Sequence, residues 1–408
     1  MSTQPLQALA GKFADAYAAR AADPARALAA ERFRAEGLPT PRVEAWHYTP
    51  LAALADVALA APARDPAVLA ARIPDLGVPR LVFGNGRYRA DLSTPPADLA
   101  VRTGAPAWGV LPEGLQHHLV ALNTMFAEDG AEIVVPPGTD AGVLMLVHLA
   151  TGGASHPRHA VRLGANARLT LVEIALGEGA AFHNPVITFA VGEGATVVHT
   201  VLQEESAEAI HLATVFAEVA KGATYDSFLL TLGGRLARRE MHTRLAGPGA
   251  AAHLNAAQLL GGTQHADFTT DVVHASANAT SRQTVKNVLA GHARGVFQGR
   301  ILVERDAQKT DGYQMNQGLL LSPTAELDVK PGLEIYADDV KCSHGTAIGE
   351  IDPEQLFYLR SRGIPEGEAR AMLVRAFIGE ALDGIAFAPV RAAMEERIGI
   401  WWEAQQAS

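Results

Sequence analysis

Turn-like tetrads that end in alanine recur every 28 residues through the middle of this 408-residue chain. Each tetrad contains small residues or residues that tolerate a positive φ, chiefly glycine and asparagine. The closing alanines are Ala167, Ala195, Ala223, Ala251 and Ala279. A period of about 20 to 50 residues is typical of stacked repeats, in which each repeat buries its apolar face on the next. The spacing therefore predicts a parallel β-helix.

A second set of alanines falls half a period later and indicates two main turns in each coil. The set is Ala181, Ala209, Ala237 and Ala293, with His265 at the position that breaks the pattern. Short apolar runs such as 143–147 and 169–174 lie between the turns, which is typical of strands. We expect two or three short strands per coil. The six-residue period of left-handed hexapeptide helices is absent.

The chain before residue 131 is predicted to be mostly helical. Residues 5 to 36 are rich in alanine, with aromatic residues spaced among charged ones, a pattern typical of an amphipathic helix. Residues 112 to 128 predict another helix, while strands are hard to place between residues 41 and 110. We expect an N-terminal, mostly helical region at residues 1–130 and a parallel β-helix core at residues 131–350.

The last part of the chain is predicted to return to helix. Asp352 is a suitable N-cap with Pro353 at the first helical position, and Gly363 stands where that helix would end. A second helix follows, and a third is expected from about residue 389 to residue 402. Residues 351–408 therefore form a predicted C-terminal helical region.

Composition and charge exclude several classes of function. A net charge of −10 and a pI near 5.8 argue against nucleic acid as a partner, since phosphate binding needs a basic surface. No apolar run approaches the roughly 20 residues of a membrane span, and no secretory signal opens the chain. With a single cysteine, these absences favour a reducing, cytoplasmic setting. No P-loop pattern is present, so we expect no nucleotide on this chain.

The single cysteine, Cys342, stands two positions before His344. In an extended segment, residues two apart point to the same face, so this thiol and this imidazole would project side by side. Both are ligands for iron, copper or zinc, yet two ligands cannot complete a four-ligand site. Any metal here must take its other ligands from elsewhere, most plausibly from another chain. Lys341 and His344 are also expected to lower the pKa of the thiol.

The residues around this pair carry a resemblance to a known family. The run from Glu334 to Gly345, followed by Gly349, Asp352 and residues 356–363, resembles the C-terminal signature of the SufB/SufD family of iron–sulfur cluster assembly scaffolds. Other matching segments lie nearer the N-terminus. They are residues 37–42 with Glu44, Trp46, Tyr48 and Thr49, residues 121–123 with Phe126 and 129–130, residues 264–267 with His274, and residues 297–300.

The resemblance implies a right-handed parallel β-helix with helical regions at both ends, in a non-catalytic scaffold subunit. It implies pairing with a SufB-like subunit and a SufC-like ATPase, and it makes His344 and Cys342 candidate ligands of iron or a nascent iron–sulfur cluster, transient and shared with a partner chain. The short length and the single cysteine favour the SufD branch. We also expect a homodimer when the chain is alone.

The C-terminal helical region is the expected ATPase-binding part of the chain. Its candidate partner-binding residues are Phe357, Tyr358, Arg362 and Phe377. Aromatic and arginine side chains are the types that most often anchor protein interfaces.

Several alternatives remain open on the sequence. His265, Asp267 and His274 would form a second metal site if strands brought them together. The arginines at 235, 238, 239 and 244 indicate a solvated rim or subunit contact more readily than a phosphate site. For the whole chain, the competing functions are a β-helix enzyme acting on polysaccharide, which would usually be secreted, and a purely structural dimer without a metal.

Overall fold

The computed structural model of the chain describes residues 4–18, 23–56, 64–111 and 118–406. Over these residues two β-sheets wind into a parallel β-helix of about eight turns, with helices from both ends of the chain around it. The predicted mainly β fold with a parallel β-helix core is confirmed. Within the described ranges, no helix has the length and apolar character needed to span a membrane.

The strands are short, and most are six to eleven residues long. In chain order they are β1 (Arg80–Gly84), β2 (Arg87–Tyr88), β3 (Ala100–Arg102), β4 (Glu132–Val135), β5 (Asp140–Ala150), β6 (Gly153–Ser155), β7 (Arg158–Leu163), β8 (Arg168–Gly177), β9 (Ala181–His183), β10 (Val186–Val191), β11 (Thr196–Glu204), β12 (Ile210–Val219), β13 (Thr224–Thr231), β14 (Leu236–Leu245), β15 (Ala251–Leu260), β16 (His265–His274), β17 (Thr280–Leu289), β18 (Arg294–Val303), β19 (Asp311–Leu320), β20 (Glu326–Ile335) and β21 (Lys341–Gly349).

From β11 onward, consecutive strands alternate between the two sheets, so each coil adds one strand to each sheet. The first sheet has the order β2-β1-β5-β8-β11-β13-β15-β17-β19-β21. The second runs β20-β18-β16-β14-β12-β10-β7-β4-β3, with β9 pairing β12 and β6 pairing β9. Neighbouring strands are parallel except at one end of each sheet, where β2 and β3 are antiparallel to their neighbours. Strands β1, β2 and β3 thus extend the sheets upstream of residue 131.

The predicted turns are present, with one shift of a single residue. Each turn has one residue with a positive φ, with values of 57° at Asn166, 66° at Gly194, 62° at Gly222, 70° at Gly249 and 58° at Asn278. The alanine after each of these residues is fully buried. Because Gly249 takes the third position in its turn, Ala250 closes that turn. The prediction of Ala251 was wrong, since Ala251 begins β15 and pairs with Thr224.

The two turns predicted for each coil correspond to the two sheets, but the alanines of the second turn do not all stack. Phe182 pairs with Ile210, as a 28-residue spacing requires. Ile210 then pairs with Leu236, so this coil is shorter. Ala237 consequently lies beside His211 and Ala266, and its predicted stacking with Ala209 was wrong.

Helices lie before and after the β-helix. They are α1 (Gln4–Ala18), α2 (Pro24–Glu36), α3 (His118–Phe126), α4 (Pro353–Ser361), α5 (Glu366–Leu382) and α6 (Ala388–Gln406). The predicted helix at residues 112 to 128 corresponds to α3, and residues 112–117 lie outside the described part of the chain. The Asp352 carboxylate accepts hydrogen bonds from Glu354 N and Gln355 N, which is the predicted cap of α4.

The helices cover different parts of the β-helix. The buried side chains of α5 and α6, including Val374, Ile378 and Trp402, pack with residues such as Leu259 and Val288 on the outer face of the first sheet. Helices α1, α2 and α3 pack with Phe182 and the first residues of β12 and β14. Both sets of helices leave the last strands, β20 and β21, largely accessible to solvent.

Candidate functional site

The candidate site lies at the end of the β-helix formed by β20 and β21. Each of these strands has one strand neighbour in the described structure, β18 for β20 and β19 for β21. No residue of β20 or β21 is fully buried, whereas β18 and β19 bury every second residue or more. The inward face of the last coil is therefore open to solvent.

Cys342 and His344 lie on this open inward face. Cys342 pairs with Gly312 and His344 with Gln314, and both partners are buried residues of β19. A methyl group at Gly312 would lie 3.4 Å from Cys342 Sγ, so the thiol lies directly beside this glycine. Cys342 is half-buried beside an apolar cluster that includes Ile301, whereas His344 is exposed.

Burial raises the pKa of the Cys342 thiol above its ordinary value, and the nearby Asp311 carboxylate acts in the same direction. A hydrogen bond with the backbone of Gly312 opposes this shift but does not reverse it. The expectation that Lys341 and His344 lower this pKa was therefore wrong. The thiol sits against apolar side chains, where the charged thiolate is disfavoured.

The interior directly behind His344 is polar. Gln314 is 1 % exposed, and in the described structure neither its Oε1 nor its Nε2 has a hydrogen-bond partner. Asn316, two residues along β19, is also buried and has an unpartnered Nδ2. Buried amides are ordinarily hydrogen-bonded, so these atoms offer both donors and acceptors to a group that enters the open end.

Charged residues surround the open end in fixed pairs. Glu334 accepts hydrogen bonds from Arg300 Nη2 at 2.7 Å and from Tyr336 Oη at 2.5 Å, and Tyr336 and Arg300 lower the pKa of this carboxyl. Lys309 pairs with Asp339 in the turn before β21. Tyr336 and Asp339 both belong to the connection between β20 and β21, so these pairs lie along that connection.

The four candidate partner-binding residues fall into two groups. Phe357 is 74 % exposed and Tyr358 is 57 % exposed on α4, a helix that buries none of its residues. The Arg362 guanidinium lies 5.2 Å from the centre of the Tyr358 ring. Phe377 lies apart from them on α5, half-buried, with Lys286 Nζ 4.5 Å from its ring centre. The structure therefore gathers Phe357, Tyr358 and Arg362 into one exposed patch and separates Phe377 from it.

The second metal site considered on the sequence does not form. His265, Asp267 and His274 all belong to β16, so His265 and His274 lie at opposite ends of one strand, about 30 Å apart. His265 and Asp267 both contact Thr49, and Asp267 also pairs with Arg238. His274 lies within 2.8 Å of Ser281 Oγ.

The arginines of the predicted rim divide into two classes: Arg235 and Arg244 are exposed, whereas Arg238 and Arg239 are buried. Arg238 is 1 % exposed, pairs with Asp267 and Glu240, and stacks under Trp46 with its guanidinium 4.0 Å from the ring centre. Arg239 points the other way, into the β-helix. Because neighbours on a strand face opposite sides, the sequence cluster is divided between two environments.

Sequence reasoning missed the buried polar groups inside the β-helix. Glu173 accepts hydrogen bonds from Arg239 Nη2 at 2.8 Å and from His199 Nε2 at 3.0 Å, all three from different strands. A second group consists of His183, Glu205 and His211. His183 and His211 stand 28 residues apart, so the period itself was the signal that could have found them.

Comparisons with known proteins agree with the fold and the signature. A family model described as "SUF system FeS cluster assembly, SufBD core domain" matches residues 147–377. The iron–sulfur cluster assembly protein SufD of Escherichia coli is 34 % identical over 377 residues, which cover 89 % of each chain. A SufBD family protein of Synechocystis is 30 % identical over 392 residues, covering 88 % of this chain and 86 % of the relative. The chain therefore belongs to the SufBD family of iron–sulfur cluster assembly proteins.

Proposed function

We propose that this chain is a scaffold subunit of the Suf iron–sulfur cluster assembly machinery and holds iron or a forming cluster at its open end, together with a SufB-like partner. The observation that carries the proposal is the pair Cys342 and His344 on the inward face of the last strand, in front of the unpartnered Gln314. A thiol and an imidazole are suitable iron ligands, but two of them do not complete a site.

The open strand edge supports a partner at this end. An unpaired strand offers a row of N–H and C=O groups to another chain, and proteins normally cover or block such an edge. Exposed apolar side chains accompany it, among them Ile335, Tyr336 and Ile348. A SufB-like strand laid along β21 would satisfy the edge and bring further ligands to His344.

The exposed patch on α4 supports a separate contact, which we assign to a SufC-like ATPase. A helix that exposes Phe357 and Tyr358 and buries none of its own residues gains little from the rest of the chain. Large exposed apolar side chains beside an arginine are typical of interface anchors. In this arrangement the partner supplies the ATP hydrolysis.

The metal role is tested by His344→Ala in the complex purified with SufB-like and SufC-like chains. We expect assembly to be kept, because one imidazole contributes little area to an interface, and iron and acid-labile sulfide to fall several-fold. Cys342→Ser should have a smaller or similar effect. Ser343→Ala is the matched control, since this neighbour faces the other side of β21. Unchanged iron and sulfide in His344→Ala would refute the metal role and leave a structural partner.

The ATPase contact is tested by replacing both Phe357 and Tyr358 with serine. We expect loss of co-purification with the SufC-like chain and an unchanged unfolding midpoint, because neither side chain is buried. Met372→Ser is the control, since Met372 is 44 % exposed on the neighbouring helix α5. Equal SufC-like recovery from the double variant and from the control would contradict the assignment.

A further inference from the structure

Three ligand-type side chains converge inside the β-helix, away from the open end. His183 ends β9, His211 lies near the start of β12, and the two pair in register with their ring centres 4.9 Å apart. Glu205, in the turn after β11, reaches between them. His183 Nδ1 lies 3.0 Å from Glu205 Oε1, and His211 Nδ1 lies 2.6 Å from Glu205 Oε2.

The charge of Glu205 is not balanced by any lysine or arginine that the structure describes. Its partners within the described ranges are His183, His211 and Gln203, and its side chain is 1 % exposed. Glu173, the comparable buried carboxylate, has Arg239 beside it. A buried carboxylate needs a positive partner, and a histidine provides one only when protonated.

We propose that His183, Glu205 and His211 bind one divalent transition metal, Zn²⁺ or Fe²⁺. One ligand atom from each residue lies within 4.8 Å of the other two. Ligand atoms about 2 Å from a common zinc ion are roughly 3.3 Å apart, so small side-chain shifts would bring the three onto one ion. Two imidazoles and one carboxylate form a recurrent site for both metals and leave a position open.

The surroundings fit a metal in two further ways. His148 is 3 % exposed, its ring centre is 4.9 Å from that of His183, and in the described structure neither of its ring nitrogens has a hydrogen-bond partner. His148 is therefore an additional imidazole beside the group. Glu205 also borders a cleft of about 410 Å³ beside Trp401 and Gln405, so the group lies close to solvent.

This site is distinct from the one at the open end. β12 is four strands from β20 in the second sheet, which is about 19 Å at the usual strand spacing. The full chain carrying both Cys342→Ser and His344→Ala therefore isolates the interior site. We expect this variant to bind about one Co²⁺ per chain under anaerobic conditions, with the visible absorption of a low-coordinate cobalt site. Titration with Zn²⁺ and with Fe²⁺ then identifies the preferred metal.

The decisive substitutions are each made in the double variant that carries Cys342→Ser and His344→Ala. His211→Gln should weaken cobalt affinity at least tenfold, as should Glu205→Gln. His199→Gln is the matched control, because His199 is an equally buried histidine bonded to a buried glutamate, but without a second histidine. It should leave cobalt binding unchanged.

Two further measurements distinguish a loss of metal binding from a loss of folding. Circular dichroism and size-exclusion chromatography establish that each variant is folded. If Glu205→Gln or His211→Gln aggregates, X-ray absorption of the zinc-loaded parent must show two imidazole ligands. Any of three results would overturn the proposal and leave a buried hydrogen-bonded network. They are less than about one tenth of a metal ion per chain, equal cobalt affinity in His211→Gln and His199→Gln, and no imidazole scattering in the X-ray absorption spectrum.

Discussion

His242 lies between two carboxylates on the outer face of the second sheet. Its ring nitrogens are 3.7 Å from Glu240 Oε2 and 3.8 Å from Asp271 Oδ2, and its ring stacks on Phe216 with centres 5.2 Å apart. Burial acts to lower the pKa of the imidazole, but the carboxylates of Asp271 and Glu240 outweigh it and raise the pKa to about 9. His242 is therefore a cation at neutral pH.

This raised pKa makes the contribution of His242 to stability depend on pH. A pKa near 9 in the folded protein and 6.5 as the ordinary value mean that the stabilisation is complete below pH 6.5 and is lost as the pH rises to about 9. We expect His242→Gln to lower the free energy of unfolding by about 1–3 kcal/mol at low pH and by much less above the folded pKa. Chemical denaturation at several pH values measures the difference.

The control for this prediction is His292→Gln. His292 is exposed and makes no ion pair with a described residue. Its effect on unfolding should be small, because its side chain is exposed. A constant difference between His242→Gln and the wild-type protein from about pH 6 to pH 9.5 would contradict the proposed ion pairs.

At the scale of single residues, contacts within one strand could be predicted from the sequence, whereas contacts between coils could not. Cys342 and His344 are two residues apart, so strand geometry alone predicts their common face. Glu173 and Arg239 are 66 residues apart and meet because coils stack. Arg238 and Arg239 are separated instead by the alternation of side chains along β14, so a count of neighbouring charges does not reveal their different surroundings.

At the scale of elements, each turn of the β-helix depends on one residue in the left-handed backbone conformation. Gly222 has a φ of 62°, and a Cβ built there would meet no atom within 4 Å. Any cost of a side chain at this position is therefore conformational, because L-residues are disfavoured in the left-handed region. Asn166 and Asn278 occupy the equivalent positions, and asparagine tolerates that conformation best among the non-glycine residues.

We predict that Gly222→Ala destabilises the β-helix by about 1–2 kcal/mol through backbone strain. The matched control is Gly379→Ala on α5, where an added Cβ also meets no atom within 4 Å but the backbone is helical. This control should stabilise the protein by about 0.5–1 kcal/mol. Urea denaturation compares the two variants, and equal shifts in the same direction would exclude the conformational explanation.

The elements were predictable to different degrees for physical reasons. The turns follow from backbone preferences that act within four residues, and the caps of α4 are equally local. Coil length was not predictable around Ala237 and Ala251, because a change of one or two residues in a coil is absorbed by the register of the neighbouring strand. The position of α5 and α6 over the first sheet depends on packing of side chains such as Val374 and Trp402, which sequence spacing does not specify.

At the scale of the whole molecule, the two ends of the β-helix differ. At one end the sheets finish in the antiparallel strands β2 and β3. At the other end, β20 and β21 are parallel to their neighbours along their whole length, and each has one unpaired edge in the described structure. A second copy of the chain would meet the same exposed edge with its own β21, so we expect a homodimer when the chain is purified alone.

The dimer is tested by Ile348→Lys, which places a charge on the open edge. Ile348 is 46 % exposed on β21, and lysine on an edge strand disfavours pairing. We expect the dimer to dissociate at micromolar concentration. Ile400→Lys is the control, because Ile400 is also 46 % exposed but lies on α6. Light scattering after size exclusion gives the mass of each variant; a dimer that survives Ile348→Lys would exclude this edge as the interface.

The two ends of the β-helix are also synthesised at different times. The antiparallel strands lie early in the chain and β21 lies late, so synthesis from the N-terminus produces the end with β2 and β3 first and then adds coils in order, each able to pair with the one before. Every coil except the last receives a successor from its own chain. The strand that carries Cys342 and His344 is the last to leave the ribosome and receives no successor from the described part of its own chain, so its edge stays free to pair with a strand of another chain.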